Sequence, residues 1–413
     1  MRILLVNDEI GGAGGVETYL SALVPELQAQ GHEIGVLYDN AMPSTASALR
    51  AGGGVWRVSL RDDGLSAALG RVRRFEPDVC FSHNMRALDV DEGLLRDWPV
   101  VKMMHGHFGT CISGQKTLAF PRACACTRDF GPGCLAYYLP RRCGGVSPLA
   151  MLKQYDWSRH QRALLDRYAA VVVGSRFMRD EYVRAGVTAD RVSAIPLFTE
   201  VTSPRRVLER GARVIDVLFL GRMTRLKGPD LLLRAISTHV PDARVTFAGD
   251  GPERVRLQQL AASLGIRARF RGWVSGADRD ALLGDAAVLA VPSVWPEPFG
   301  LVGLEAAAFG TPAVAFDTGG IAEWLTDGVN GQLVAPARGS AGLGETIAAL
   351  LKDVERWRRL SAGARAVAER FTIGAHVRAV ESVLARAAQG DRSIDSCGFR
   401  LQAEVSSASR SSG

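Results

Sequence analysis

The sequence lacks the features that mark membrane-spanning, secreted and nucleic-acid-binding proteins. No run of about 18 apolar residues occurs in its 413 residues, so we expect no membrane-spanning helix. The first residues, Met1 to Asn7, become polar too early for a signal peptide, and seven cysteines in so long a chain argue against a disulfide framework. No basic and aromatic stripe supports nucleic-acid binding. These absences favour a cytoplasmic protein.

The composition is that of a globular protein. Hydrophobic residues make up 47% and charged residues 23%, and the length exceeds that of one typical core, which predicts two domains. The net charge of +7 permits an anionic ligand or peripheral contact with the inner face of an acidic membrane.

Short apolar strands alternate with amphipathic helices along most of the chain. This pattern predicts an α/β protein with parallel sheets that are covered on both faces. The expected strands are 3–7, 33–38, 55–59, 78–82, 100–105, 171–174, 192–195, 214–220, 244–248, 268–270, 288–291, 313–316 and 332–334.

The alternation restarts near residue 214, after a run rich in Arg, Pro and Glu at 203–213. We interpret this run as the linker between two doubly wound domains, at 1–203 and 204–372. The first domain carries a cysteine-rich insert at 106–145. The Ser-rich segment 391–413 has no sustained period and is expected to be a disordered tail.

Two glutamates stand eight positions apart, at Glu297 and Glu305. Pro298 and Gly300 between them are typical of the end of a loop and the start of a helix. Glu297 would therefore lie just before the helix and Glu305 inside it. Because the free N–H groups at a helix start attract anions, the segment is suited to a sugar nucleotide, with hydroxyls on the carboxylates.

A basic pair follows the expected strand 214–220. Arg222 and Lys227 stand in the loop that begins with Gly221. A planar guanidinium can grip two phosphate oxygens, and an ammonium acts as a compact charge, so the pair could neutralise a diphosphate leaving group. The alternative is two solvated loop cations, and the glutamate motif downstream favours the first interpretation.

A glycine-rich loop, residues 11–15, follows the first expected strand. Glycines let backbone N–H groups approach a phosphate closely, and Asp39 at the end of the second strand invites a dinucleotide interpretation. That fingerprint needs glycine where Glu17 stands, so nicotinamide binding is disfavoured. Two interpretations of this loop stay open: a loop that binds phosphate, and a turn that binds no ligand.

These motifs together resemble the retaining glycosyltransferases of the GT-B fold, and glycosyltransferase family 4 in particular. They are Gly-Gly-Val-Glu at 14–17, Gly-Arg-x4-Lys-Gly at 221–228, Gly-Asp-Gly-Pro at 249–252 and the pair of glutamates. The resemblance implies two Rossmann-like, doubly wound domains that face each other across a cleft. The first would bind the acceptor and the second the nucleotide-sugar donor, and a helix at 373–390 would return to the first.

The resemblance also implies roles at matching positions. Arg222 and Lys227 would bind the donor diphosphate, Glu305 the ribose and Glu297 the donor sugar. His105, at a strand end of the first domain, would face the sugar near the reacting carbon. The implied catalytic set is His105, Arg222, Lys227 and Glu297. His83 is a weaker candidate at a similar strand end. The other donor-binding candidates are Gly15, Gly249, Trp273, Val274, Phe299, Gly300 and Leu301.

The implied activity is transfer of a sugar from a UDP- or GDP-sugar to a saccharide, lipid-linked or small-molecule acceptor, with retention, in polysaccharide or glycoconjugate biosynthesis. It requires no metal or other cofactor. Asp89 and Asp91 resemble a metal motif but are expected at the solvated start of a helix. Two alternatives stay open: a sugar-nucleotide epimerase of GT-B architecture, and a non-catalytic protein that binds sugar nucleotides.

Five cysteines crowd into the insert that follows His105: Cys111, Cys124, Cys126, Cys134 and Cys143. Such a set can hold one structural zinc, although the spacings do not match paired Cys-x2-Cys motifs. A zinc site, an iron–sulfur centre, oxidisable cysteines and unliganded loop cysteines all stay open. We expect an irregular loop that shapes the acceptor site and that is basic through Lys116, Arg122, Arg128, Arg141 and Arg142.

Overall fold

The computed structural model describes residues 1–11, 14–41, 54–199 and 208–390, and all structural statements below concern these residues. The predicted domain boundary between 203 and 204 and the predicted tail at 391–413 lie outside them. Of the helices in the described ranges, none combines the length and apolar composition needed to cross a bilayer.

The first domain is built on a sheet of seven parallel strands in the order β3-β2-β1-β4-β5-β8-β9. Its chain also forms a separate antiparallel hairpin, β6-β7, inside the cysteine-rich insert. The strands are β1 (Arg2–Ile10), β2 (Glu33–Ala41), β3 (Val55–Ser59), β4 (Val79–Ser82), β5 (Val100–Met104), β6 (Thr117–Leu118), β7 (Cys124–Ala125), β8 (Ala170–Val173) and β9 (Val192–Ala194).

The second domain repeats this architecture with six parallel strands in the order β12-β11-β10-β13-β14-β15. They are β10 (Ile215–Leu220), β11 (Val245–Ala248), β12 (Ala268–Gly272), β13 (Ala286–Val291), β14 (Ala313–Phe316) and β15 (Gly331–Val334). Every strand predicted from the apolar runs is present in one of the two parallel sheets. Both follow the strand order of the doubly wound Rossmann fold.

Helices connect the strands and cover both faces of each sheet. In the first domain they are α1 (Gly15–Ala29), α2 (Leu60–Asp63), α3 (Leu65–Phe75), α4 (Leu88–Asp97), α5 (Gly133–Arg141), α6 (Pro148–Leu165) and α7 (Arg176–Arg184). After β10 they are α8 (Pro229–His239), α9 (Arg254–Ser263), α10 (Gly276–Asp285), α11 (Leu301–Ala308), α12 (Gly339–Lys352), α13 (Val354–Ala368) and α14 (Ile373–Ala388).

The last helix, α14, packs on the first domain although it follows the second in sequence. Val377, Val380 and Leu384 are fully buried in the same apolar cluster as Leu20 and Leu23 of α1. The Tyr19 hydroxyl also lies 2.9 Å from His376 Nε2. This packing ties the end of the second domain to the first sheet.

Asp91 corrects one sequence prediction, because it is fully buried rather than solvated. Its carboxylate accepts hydrogen bonds from Lys102 Nζ at 2.8 Å, from the Ser82 hydroxyl and from the Tyr168 hydroxyl. A buried charge is stable only when it is paired and hydrogen-bonded. The aspartate is thus a structural partner of a buried lysine.

The insert corrects a second prediction, because it is not an irregular loop. It contains the β6-β7 hairpin and the nine-residue helix α5. Lys116 is buried and pairs with Glu181 at 2.8 Å, and Arg128 and Arg142 lie over the rings of Tyr137 and Phe120. Several of its basic side chains therefore stabilise the insert itself.

Candidate functional site

The candidate donor residues follow the strands at the centre of the second sheet. The strand order reverses between β10 and β13, and ligands of doubly wound sheets bind at such a switch point, beyond the carboxyl ends of the strands. The loop with Arg222 and Lys227 follows β10, and the segment with Glu297 follows β13. The topology thus brings the two motifs to one edge of the sheet.

Lys227 and Glu297 form an ion pair across this switch point. The Lys227 ammonium donates to both carboxylate oxygens of Glu297, at 2.7 and 2.9 Å. It also lies 4.7 Å from the ring centroid of Trp295. Glu297 is buried, whereas the Lys227 side chain keeps 30% of its surface exposed, so the ammonium is still open to a ligand. Arg222 is exposed in the same loop.

The backbone around Glu297 is held from both domains. The Gly320 N–H donates to the Glu297 carbonyl at 2.6 Å, and a Cβ on Gly319 would lie 2.4 Å from the Glu297 backbone N and O. From the first domain, His107 Nε2 lies 3.0 Å from the Pro296 carbonyl. The position of the carboxylate therefore depends on contacts with both domains.

Helix α11 begins at Leu301, directly after Gly300, as the sequence predicted. Gly300 has a left-handed φ of +83° that favours glycine, and it precedes the helix as its N-cap. The buried Phe299 is fixed by the Trp324 indole N–H, which donates to its carbonyl at 2.8 Å. Glu305, inside the helix, pairs with Arg279 of α10 at 2.9 Å.

Three of the donor-binding candidates lie together beyond β11 and β12: Gly249, Trp273 and Val274. The Gly249 N–H donates to the Gly272 carbonyl at 2.6 Å, so the segment that continues with Trp273 and Val274 starts beside Gly249. A Cβ on Gly249 would stand 2.1 Å from the Gly221 carbonyl oxygen, which explains why glycine is needed there. Trp273 keeps 63% of its surface exposed and is available to a ligand, while Val274 is half-buried.

A cavity of about 850 Å³ lies in the first domain. It opens at the carboxyl ends of β1, β2 and β4, around that domain's own switch point. Its lining includes the cations Arg86, Lys102 and Lys153, and it includes four carboxylates: Asp8, Glu9, Glu17 and Asp39. A cavity of this size fits a saccharide or another small acceptor.

His83, rather than His105, lines this cavity. The two imidazoles are joined by a hydrogen bond of 3.1 Å between His83 Nδ1 and His105 Nε2. Burial, with the nearby Lys102 and His376, lowers the pKa of His105 to about 3, and burial also lowers the pKa of His83 well below its ordinary value. Both rings are therefore neutral at pH 7 and act through hydrogen bonds rather than charge.

Gly15 is the first residue of α1 and is exposed. A Cβ there would meet nothing within 4 Å, whereas one on Gly14 would lie 2.0 Å from the Glu17 carboxylate. The space around Gly15 is therefore open, and its role beside the donor phosphates stays a prediction.

Four of the five insert cysteines line one small cavity of about 20 Å³, the four-cysteine cavity: Cys111, Cys126, Cys134 and Cys143. Cys124 is exposed and lies outside it. Burial raises the pKa of Cys143 to about 11, and the three neighbouring thiols add to the effect. Across the described ranges, no three His, Cys, Asp or Glu side chains already stand as a set that could hold a metal ion.

Sequence reasoning missed several residues that organise the site. Trp295 contacts the Lys227 side chain, His107 contacts the Glu297 segment, and Arg279 contacts Glu305. None of these three residues belongs to a sequence motif of its own. Only the Gly319-Gly320 pair carried a sequence signal, since two glycines shortly after a strand often mark a close backbone approach.

Comparison with protein families gives two consecutive matches. Residues 13–202 match the model of Glycosyltransferase Family 4, and residues 204–367 match the model of Glycosyl transferases group 1. The two matches meet at 202–204, between the sheets of the two domains.

Curated relatives and solved structures give a consistent result. A D-inositol 3-phosphate glycosyltransferase from Xylanimonas cellulosilytica is 35% identical over 49% of this chain and 53% of that protein. A phosphatidyl-myo-inositol mannosyltransferase from Mycobacterium leprae is 40% identical over 37% of this chain and 41% of that protein. The match to these relatives thus spans about half of their length or less.

The fold is shared with solved structures at low sequence identity. Anabaena HepE, solved in complex with UDP and glucose, superposes with a TM-score of 0.69 at 22% identity, over 93% of this chain and 99% of HepE. Sucrose-phosphate synthase from Thermosynechococcus elongatus gives 0.69 at 20% identity, over 94% of this chain and all of that one. The two doubly wound domains form a GT-B fold, and the chain belongs to glycosyltransferase family 4.

Proposed function

We propose that this protein is a retaining glycosyltransferase that moves a sugar from a nucleotide diphosphate sugar to an acceptor hydroxyl. The donor binds at the switch point of the second domain, and the acceptor binds in the 850 Å³ cavity of the first. The observation that carries the proposal is the ion pair between Lys227 and the buried Glu297, beside the exposed Arg222.

The ion pair supports this function because it fixes a cation before any ligand binds. Lys227 is held by Glu297 on one side and Trp295 on another, so little reorganisation is needed when a diphosphate arrives. In the described part of the chain, the buried Trp295 indole N–H has no hydrogen-bond acceptor. Such a group beside a cation suits an anionic or hydroxyl-bearing ligand.

The chemistry follows from where charge develops. The bond between the anomeric carbon and the β-phosphate oxygen breaks, the sugar ring gains positive charge and the diphosphate gains negative charge. Arg222 and Lys227 stabilise the leaving diphosphate, and Glu297 holds sugar hydroxyls next to the reacting carbon. The acceptor oxygen attacks from the same face, and its proton passes to the departing phosphate oxygen.

His105 and His83 serve the reaction as neutral groups. With pKa values lowered by burial, neither imidazole carries charge near pH 7. Each can donate or accept one hydrogen bond at the boundary between the acceptor cavity and the reacting carbon. We assign His105 to the donor sugar and His83, which lines the cavity, to the acceptor side.

The cavity favours a hydroxyl-rich acceptor over a phosphorylated one. Its wall carries four carboxylates against the cations Arg86, Lys102 and Lys153, and carboxylates accept hydrogen bonds from sugar hydroxyls but repel phosphate. One relative is named for an inositol phosphate acceptor, and this acidic wall argues against transferring that acceptor here. A saccharide, free or lipid-linked, fits best.

The donor is a UDP- or GDP-sugar in this proposal. HepE was solved with UDP-glucose as well as with UDP, and another relative is named a mannosyltransferase, which suggests these two sugar-nucleotide classes. The reaction needs no metal in the donor site in this proposal, because Arg222 and Lys227 supply two cations for the diphosphate. A role in polysaccharide or glycoconjugate biosynthesis, in the cytoplasm and at a membrane surface, stays a prediction.

The test begins with binding and ends with turnover. Thermal shift against UDP, GDP and ADP identifies the nucleotide, and release of that diphosphate from its sugar conjugate is then measured with and without saccharide acceptors. The proposal predicts slow hydrolysis alone, faster release with an acceptor, and a product of retained anomeric configuration by NMR. A nucleotide that binds without any turnover would indicate a sensor, and an isomerised free sugar nucleotide would indicate an epimerase.

A further inference from the structure

The four-cysteine cavity brings four thiols and two basic residues together, and one of its sulfurs accepts a backbone hydrogen bond. The backbone N–H of Lys116 donates to Cys111 Sγ at 3.2 Å. Backbone N–H groups that point at sulfur stabilise its charged form and fix its direction.

The volume of the cavity sets what it can hold. It is a small cavity, of about 20 Å³. That space accepts a single ion, since zinc–sulfur bonds are about 2.3 Å long. An iron–sulfur cluster adds several irons and sulfides and would need far more room.

The insert has a small core, in which several half-buried side chains pack on a few buried residues. The buried members of its cluster are Ile112, Tyr138 and Cys143. Its hairpin has strands of two residues each. Units this small usually depend on a disulfide or a metal, and the six cysteines of the described residues are free thiols.

We propose that Cys111, Cys126, Cys134 and Cys143 together bind one structural Zn²⁺ as a tetrahedral thiolate site. The sulfurs share the cavity but are not yet assembled as a ligand set, so they must rotate about their Cα–Cβ bonds toward the ion. Binding releases the four thiol protons and leaves a complex of charge −2. Arg128, which lines the same cavity, offsets part of that charge, whereas Lys116 is already paired with Glu181.

The site has a consequence for the acceptor cavity, and this part rests on the proposed function. Ile112 lines both cavities, and Ser113 and Gly114 line the acceptor side. The Ser158 hydroxyl, on α6, donates to the carbonyls of Cys111 and Ile112 at 3.1 and 3.2 Å. A metal at Cys111 would fix this wall, so its loss should raise the acceptor KM more than it changes acceptor-independent donor hydrolysis.

Metal analysis of the full chain tests the site independently of any activity. Protein should be purified without chelators and its zinc content measured by elemental mass spectrometry, which should give one zinc per chain. Cys111→Ser and Cys143→Ser should lose it, and Cys124→Ser, which changes an exposed cysteine of the same insert, should keep it. Wild-type protein without zinc, even after dialysis against zinc, would overturn the proposal, as would equal loss in Cys124→Ser.

A second measurement covers the case in which the serine variants fail to fold. Wild-type protein stripped of metal and titrated with Co²⁺ should develop the intense visible absorption of tetrahedral cobalt thiolate, saturating at one equivalent. Zinc should also protect four thiols from a thiol reagent. Absence of the cobalt spectrum, an iron–sulfur chromophore, or disulfides among these four cysteines would each refute a zinc site. If zinc is found without glycosyl transfer, only the proposed function fails.

Discussion

Removal of the Lys227 charge tests the central claim about the site. Lys227→Met keeps the aliphatic stem beside Trp295 and removes the ammonium that contacts Glu297 at 2.7 and 2.9 Å. If the ammonium stabilises the departing diphosphate, the variant should lose transition-state stabilisation. The same substitution leaves a buried carboxylate without its partner, so stability must be measured alongside activity.

The two effects have separable sizes. Loss of one preorganised group facing developing charge costs about 2–4 kcal/mol, which is a fall of roughly 30- to 1000-fold in kcat/KM. A buried carboxylate that loses its hydrogen-bonded partner costs about 1–3 kcal/mol of stability. The Glu297 side chain is only 5% exposed, so water reaches its carboxylate poorly and the upper half of that range applies.

The assay compares three variants at a temperature where all are folded. Arg225→Met is the matched control, because Arg225 lies in the same turn, is 63% exposed in its side chain and pairs with Glu253 at 3.4 Å. A surface pair of this kind contributes about 0–1 kcal/mol, so little change is expected. The double variant Lys227→Met/Glu297→Gln should regain stability, since no charge is left unpaired, but not activity.

Three results would contradict the reasoning. If Lys227→Met turns over the donor within about threefold of wild type per folded molecule, a difference below about 1 kcal/mol, the ammonium does not act on the leaving group. Equal losses in Arg225→Met and Lys227→Met would also contradict it, because they would point to the net charge of the loop. Recovery of activity in the double variant would mean that Lys227 only neutralises Glu297.

Three further predictions follow from particular contacts. Glu305→Gln should weaken nucleotide binding by about tenfold, or about 1.4 kcal/mol, in isothermal titration, with a much smaller effect on turnover at saturating donor; unchanged affinity would remove the carboxylate from the donor site. Gly319→Ala should unfold at a clearly lower temperature than Gly328→Ala, because the new Cβ at position 319 would lie 2.4 Å from the Glu297 backbone. Gly328 is the matched control, since it also has a positive φ but has open space around it. Equal unfolding midpoints would contradict the packing. The free energy of unfolding should be greatest above pH 6.5 and should fall as the pH is lowered from there, because the unfolded chain binds protons that the folded chain excludes. His105 and His376, whose folded pKa values are about 3 and 4, should each contribute a fall of up to about 1.4 kcal/mol per pH unit. A flat profile between pH 7 and 5 in urea unfolding would disprove it.

Local sequence patterns were sufficient to predict the sheets and the start of α11. Most strands of the two parallel sheets are short apolar runs that are buried on both faces, so their signal lies within a few consecutive residues, although β12 has two exposed arginines. The Pro298 and Gly300 signals placed the helix start correctly because turn geometry is also local. Glu297 and Lys227 were predicted as separate motifs, and parallel topology explains why they meet.

Buried polar residues were not predictable in this way. Asp91 and Arg213 are both fully or almost fully buried, yet each lies in a segment whose composition is typical of solvent-exposed chain. Arg213, in the predicted linker, donates to the carbonyls of Ala286 and Phe309 and to the Thr311 hydroxyl. Burial of these charges is favourable only because distant residues supply partners, and no local pattern encodes those partners.

The Glu297 segment shows why the exact geometry of the site also lay beyond the sequence. Its backbone is bonded by Gly320 of its own domain and approached by His107, which is 189 residues away along the chain and belongs to the other domain. Burial lowers the pKa of His107, so its ring is neutral near pH 7 and can donate to the Pro296 carbonyl without the cost of a buried charge. Because the peptide that carries Glu297 is fixed from both sides, any movement of one domain relative to the other changes the position of the carboxylate that holds Lys227. The catalytic pair is therefore assembled by the packing of the two domains as much as by either motif alone.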